Sequence, residues 1–382
     1  NAASYNTGLG WEVFDDLTTG DENTSVGYLA STKLTTGGGN SVLGYEALKT
    51  NTTGNHNTAI GRNALNLNTT AAGNTAIGFA ALEANTTGAS NVAVGFQALD
   101  ANTTAANNTA VGVNSLGANT TGTRNVAVGA LSLDANTTAH DNTAIGYFAL
   151  STNTTGANNT AVGRSSLGSN TTGADNTAMG RIALDDNTTG ASNVAIGSSA
   201  LTTNTTASNN IAVGVSSLSL NTTGAANVAV GTNALKINTT ANDNVAIGHD
   251  ALQANTTGAL NTAVGTSALN ANTTAASNQA FGRRALYNNT TGTENNAFGY
   301  LALLSNTTGD FNVGVGVNAL AANTTADNNV AVGTAALATN ISGTRNTAVG
   351  TNAGKLNTAS DNVAIGFNAL DTNAGGSNNT AV

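Results

Sequence analysis

Residues able to do chemistry are few in this 382-residue chain, and they are scattered. The three histidines, His56, His140 and His249, stand many residues apart. A general acid or base must lie within hydrogen-bond reach of its partner, and no carboxylate-rich motif accompanies any of them. Asp15 with Asp16 and Asp185 with Asp186 are adjacent pairs. Such pairs offer oxygens to a calcium ion or, more simply, sit in a solvated turn. Serine and threonine are abundant but lack an activating base. The glycines follow short apolar runs without the G-x-G-x-x-G spacing and helix of a phosphate loop. Cysteine is absent, so there is no thiol chemistry and no disulfide framework. The expectation is a protein that is not an enzyme and uses no cofactor or metal.

The chemistry that recurs is that of amides and hydroxyls. The triplet N-T-T opens at Asn51, Asn68, Asn85, Asn102 and Asn119 and returns in seventeen successive units up to Asn323. Each triplet is an N-glycosylation acceptor pattern. Stacked identical asparagines also form internal hydrogen-bonded ladders. Two features favour the ladder. Another asparagine, at Asn57, Asn74, Asn91 and Asn108, recurs although N-T-A and N-V-A are not acceptors. Near the N-terminus Leu17 and Leu34 replace the N-T-T asparagine, as expected of a buried position. One row of the paired threonines should face outward, to carry O-linked sugar, to bind ice, or as ordinary β surface.

The elements that must position these groups follow from the period. Gly61, Gly78, Gly95 and Gly112 are seventeen apart, and that spacing holds from Gly10 to Gly350. A fixed period of this length marks a solenoid or array. Numbered from its first asparagine, the unit reads Asn at position 1, Ala at 3, Val or Ile at 4, Gly at 5, Ala or Ser at 8, Leu at 9 and Asn-Thr-Thr at 12–14. Seventeen residues are too few for two helices, and Asn, Thr and Gly are poor helix formers. The prediction is an all-β, parallel β-solenoid (a β-roll), with strands over positions 2–5 and 7–10 and a third over 12–14. About twenty-two coils at roughly 4.8 Å each would make a rod of about 105 Å. Residues 1–39, with Trp11, Phe14 and the run Gly37–Gly39, read as atypical capping repeats. Residues 40–382 read as the regular array, with no C-terminal cap.

Alternation along a strand puts positions 3 and 5 on one face and 2 and 4 on the other. With Val or Ile at position 4 filling the coil, Ala and Gly face outward as a smooth stripe for another backbone, and Gly61, Gly78, Gly95 and Gly112 become close-packing glycines. The simpler alternative is that glycine only makes a tight turn. One Val/Ile and one Leu per coil form a thin core, so association of copies, as in a homotrimer, is expected. Charged residues make up 8% of the chain, against about 25% in typical domains. They collect at positions 6, 10 and 17, the expected solvated edges. The net charge of −9 comes with no basic patch for nucleic acid and no apolar run long enough to enter a membrane.

The segments N-T-A-I-G-R-N-A-L, N-V-A-V-G-F-Q-A-L and N-T-A-V-G-R-S-S-L resemble the YadA-like head repeat of trimeric autotransporter adhesins. Similar repeats occur in tail-fibre-like proteins. The resemblance covers about 6–382; the N-T-T-G/A insert makes this unit longer than the usual family coil. It implies a left-handed homotrimer of β-rolls, extracellular or on the cell surface, adhering to a host surface or matrix. The expected function is thus a structural or adhesive fibre, with the self-partner extending to head-to-tail filaments. A phage-type tail fibre and an ice-binding solenoid are the alternatives.

Overall fold

A computed structural model describes residues 3–382. The chain is an all-β, parallel β-solenoid in two units, Asn1–Ser192 and Asn193–Val382. Among the described residues the first unit carries eleven strands, β1 (Thr7–Leu9) to β11 (Thr177–Met179). The second carries twelve, β12 (Val194–Ile196) to β23 (Thr380–Ala381). Within each unit every strand pairs in parallel with its copy one coil on, in strict register. In the first, Thr58, Ala59 and Ile60 face Thr75, Ala76 and Ile77. In the second, Val228, Ala229 and Val230 face Val245, Ala246 and Ile247. Identical side chains therefore stack on identical side chains.

Each coil has a single strand of about three residues, at positions 2–4, where the expectation was two or three strands. Position 5 ends it. Gly61 has φ 136°, and a Cβ there would lie 2.3 Å from the carbonyl oxygen of Gly78. Position 15 is equally crowded, since a Cβ on Gly54 would come within 2.2 Å of Ala71 O. Yet Ala71 and Ala105 occupy that same position elsewhere. The difference is dihedral: only position 5 needs a φ that side chains exclude.

Positions 7–10 form a turn, and non-glycine residues there adopt left-handed backbone. Asn63 at position 7 has φ 59° and Leu65 at position 9 has φ 53°. Asparagine tolerates this; a leucine meets a cost of roughly 1–2 kcal/mol. Hydrogen bonding offsets it. Asn63 N donates back to Tyr45 O at 3.0 Å, and Leu65 N donates forward to Ala81 O at 3.0 Å. The turn thus bonds to both neighbouring coils without being a strand. Beyond it, Leu67 N reaches Glu83 O at 3.0 Å and Thr69 N reaches Thr86 O at 3.0 Å.

The interior reverses the expected facing. Ala59, Ala76 and Ala93 at position 3 are fully buried, together with Leu65, Leu82 and Leu99 at position 9. Position 4 faces out: Ile60 is 38% exposed and Ile145 40%. A coil this narrow has room for alanine, one leucine and two asparagines, and the branched residue is displaced to the outer face. Position 8 completes the core as Ala or Ser. Where it is serine the hydroxyl is satisfied locally, as in Ser132 Oγ donating to Gly129 O at 2.9 Å.

Candidate functional site

The repeated amides sit inside the coils as two ladders. At position 1, Asn57, Asn74, Asn91 and Asn108 are fully buried. Asn74 N donates to Asn57 Oδ1 at 3.0 Å, and Asn91 N to Asn74 Oδ1 at 2.8 Å. Each Nδ2 also crosses the coil: Asn57 Nδ2 donates to Ala71 O at 3.0 Å and Asn108 Nδ2 to Gly122 O at 2.9 Å. One side chain thereby ties its own coil together and links it to the next.

At position 12, Asn51, Asn68, Asn85, Asn102 and Asn119 are fully buried as well. Asn68 Nδ2 donates to Asn51 Oδ1 at 2.9 Å and to Ala71 O at 3.0 Å. Asn85 and Asn102 repeat the pattern, each at 2.9 Å to the preceding asparagine. From Asn68 onward both hydrogens of these amides are committed inside the array, whereas Asn51 Nδ2 donates to Gly54 O at 2.9 Å. A sugar on Nδ2 would have to displace such a bond from a fully buried position. Leu34, at the position-12 site of the preceding coil, is itself fully buried.

Gly61, Gly78, Gly95 and Gly112 are indeed close-packed, but against the next coil of the same chain. Each ideal Cβ would lie 2.3–2.5 Å from the next coil's glycine carbonyl oxygen. Gly61, Gly78, Gly95 and Gly112 are themselves half-buried.

The outer strand face is instead made of positions 2, 4 and 6. Position 2 is mostly Thr or Val, with Ser41, Ile211, Gln279 and Asn296 as exceptions, half-buried in most coils, and position 4 is Val, Ile, Leu, Met or Phe. At position 6, Tyr28 stacks on Tyr45 with centroids 5.2 Å apart, and Phe79 on Phe96 at 5.1 Å. Arg62 lies between these pairs, 5.5 Å from the Tyr45 ring and 5.9 Å from that of Phe79. The result is an unbroken file of π-groups over five consecutive coils. The sequence reading treated position 6 only as a variable, solvated edge.

The threonine rows divide. Thr52 and Thr69 at position 13 turn their hydroxyls onto the next coil, Thr52 Oγ1 to Thr69 O at 3.1 Å and Thr69 Oγ1 to Thr86 O at 3.0 Å. Thr53, Thr70, Thr87 and Thr104 at position 14 are exposed.

Charges lie on the edges, with one qualification. Position 17 is exposed, and there Arg124 pairs with Asp141 of the next coil through two bonds at 2.6 and 2.8 Å. Hydrogen bonding to Arg124 holds the Asp141 carboxyl below its ordinary range. Position 10 is only half-solvated. Asp100, Asp134 and Asp185 there have pKa values raised chiefly by burial. Asp185 is raised further by its neighbour Asp186. The histidines remain apart: His140 Nδ1 accepts from Thr123 N at 3.1 Å, and His249 Nδ1 lies 3.0 Å from Asp250. Among the described residues no three His, Cys, Asp or Glu come together as metal ligands would. No helix there is long and apolar enough to cross a membrane. Neither a family model nor a curated protein matches the chain.

Proposed function

We propose that the chain is a self-associating structural and adhesive array, displayed outside the cell, whose working surface is the outer strand face. The observation behind this reading is the file of apolar side chains at position 4, in register from coil to coil, exposed at Leu43, Ile60, Ile145 and Met179 and half-buried at Ile77, Val94 and Val111. Full burial of such a side chain contributes about 1.5–3 kcal/mol, so covering the exposed two-fifths of Ile60 or Ile145 is worth on the order of 1 kcal/mol, and less where the residue is half-buried. Over the eleven strands of the first unit that gives several kcal/mol. It is of the same size as the roughly 4–15 kcal/mol that association costs in lost freedom. Position 2 and the aromatic file add to it. The resemblance to YadA-like heads supports three copies, wound left-handed, with a host surface or matrix as the adhesive partner. Strand bonds recur from coil to coil within each unit, which also supports end-to-end growth. A structural and not an enzymatic role fits residues whose repeated chemistry is spent on the fold.

Sedimentation equilibrium of the full chain tests the proposal. The expected mass is three times the 37.4 kDa of one chain. Replacing Ile77, Val94 and Val111 together by lysine should return the monomer with its coils intact. A wild-type protein that stays monomeric at high concentration would overturn the reading.

A second reading, an ice-binding solenoid, draws on the exposed position-14 threonines, which present hydroxyl and methyl groups at the coil repeat. Thermal hysteresis that vanishes on replacing Thr87, Thr104 and Thr121 would favour it; none in the wild type would dismiss it.

A further inference from the structure

The position-12 ladder of the second unit has an end built into it. From Asn221 onward each Nδ2 donates to the asparagine one coil earlier, up to Asn323 Nδ2 on Asn306 Oδ1 at 2.8 Å. There the row stops. Asn323 Oδ1 is buried and receives no donor. Asn340, next in the row, closes on its own turn: Nδ2 donates to Gly343 O at 2.7 Å, and Oδ1 accepts from Gly343 N at 3.1 Å. The hydroxyl row ends one interface later. Thr324 Oγ1 donates to Ile341 O at 3.2 Å, and Ile341 has no hydroxyl to pass on.

One coil later the two ladders cross. Asn357, at position 12, donates to the position-1 residue Asn346, Nδ2 to Oδ1 at 3.1 Å. Its own Oδ1 accepts from Asn362 and from Asn373, both at 3.1 Å. The cause is in the sequence. The coil 346–361 has sixteen residues, so Asn357 and Asn362 are five apart where Asn51 and Asn57 are six apart. The same coil has Gly354 in place of the core leucine, with the left-handed φ of 57° that leucine adopts elsewhere. The strand row itself continues: Val330 pairs with Thr347, and Thr347 with Val363.

We propose that the coils from Asn323 to Asp361 are an uncoupling point, at which the coils that follow open as a unit separate from those before. In a repeat array, cooperativity is carried by the interfaces between neighbours. Here the interface between coils 329–345 and 346–361 lacks its position-12 amide bond, its hydroxyl bond and its leucine, while the strand bonds and the position-1 bonds from Asn346 to Asn329 remain. Local opening follows the weakest coupling. Under heat or load the array yields at this place and the ladders on the N-terminal side stay closed. A lost inter-coil bond with a stranded acceptor corresponds to roughly a ten- to hundredfold change in an opening equilibrium.

Native-state hydrogen exchange on the full chain tests this. Amides of Val363 and Gly366 should exchange at least tenfold faster than those of Val313 and Gly316, with a step at coil 346–361. Fraying of the last coils alone would give a gradient, and it would survive repair of the break. The repaired chain carries Ile341→Thr, Gly354→Leu and one threonine inserted between Thr358 and Ala359. The proposal expects the step to disappear in it. A second variant guards against misfolding of the repaired coil: deletion of Thr240 shortens coil 227–243 in the same way. It should create a new step there. Equal protection on both sides in the wild type, persistence of the step after repair, or no new step on deletion overturns the proposal.

Discussion

Asn102 is the place to test the ladder quantitatively. Its Nδ2 donates to Asn85 Oδ1 at 2.9 Å and to Ala105 O at 3.1 Å, and its Oδ1 accepts from Asn119 Nδ2 at 3.0 Å. Asn102→Ala removes all three bonds. Ala105 O keeps a donor, Asn91 Nδ2 at 2.9 Å. Asn119 Nδ2 keeps Gly122 O at 3.0 Å but loses its inter-coil acceptor. Two groups are therefore stranded in the interior, Asn85 Oδ1 and one hydrogen of Asn119. At about 1–3 kcal/mol each, the expected cost is about 2–6 kcal/mol, before any cavity is counted. Long repeat arrays depart from two-state unfolding, so a single melting temperature would misreport a local loss. The suitable assay is hydrogen exchange at Thr86, Leu99 and Asn102, whose amides bond within or between these coils. Protection there should fall by roughly 30-fold or more, since 1.4 kcal/mol is a factor of ten. Asn102→Leu, which fills the volume but strands the same groups, should lose nearly as much. Thr104→Ala, on the exposed row, should change little. A loss below fivefold at Asn102→Ala would refute the ladder as the source of coupling.

Three further outcomes follow from the geometry. Gly95→Ala places a methyl 2.3 Å from Gly112 O at φ 143°, and should abolish protection in both adjoining coils, read by exchange or by proteolysis. Leu99→Ala empties the largest buried side chain of its coil and should cost about 2–5 kcal/mol in local stability. Burial holds Asp134 above its ordinary value of 3.8, so the folded state binds that proton more tightly than the unfolded chain. Stability should therefore fall as pH rises from 3.8 through the raised value and then level off. Asp134→Asn should stabilise its coil at neutral pH and remove this dependence, as urea titrations at several pH values would show.

The period, the parallel stacking and the two amide rows are legible in the sequence because each rests on repetition. Asn at position 1 and Asn at position 12 hold through variable surroundings, and only an interior needs that constancy. The facing of the strand was open to the same logic. Positions 1 and 3 share a face in extended chain, so burying Asn57 also buries Ala59 and turns Ile60 outward. The reading that favoured Ile60 inside followed hydrophobicity alone, which a coil of this width overrides. The turn at positions 7–10 was hidden for another reason. The repeated Ala-Leu pair looks like strand, and nothing in Leu65 by itself announces a φ of 53°. Inter-coil hydrogen bonds enforce that conformation, and they exist only once the coils have stacked. Likewise the file Tyr28, Tyr45, Arg62, Phe79 and Phe96 is visible at seventeen-residue spacing, but its π-contacts depend on the register that the ladders set.

The most direct test of the account is the thiol reactivity of two single cysteines in this cysteine-free chain, Ala93→Cys and Val94→Cys. Adjacent in sequence, they lie on opposite faces of one strand. The account predicts that Cys at position 93 stays unlabelled under native conditions, while Cys at position 94 reacts readily in dilute protein and becomes protected as the concentration rises and copies associate. Rapid labelling at 93, or labelling at 94 that no concentration suppresses, would contradict it.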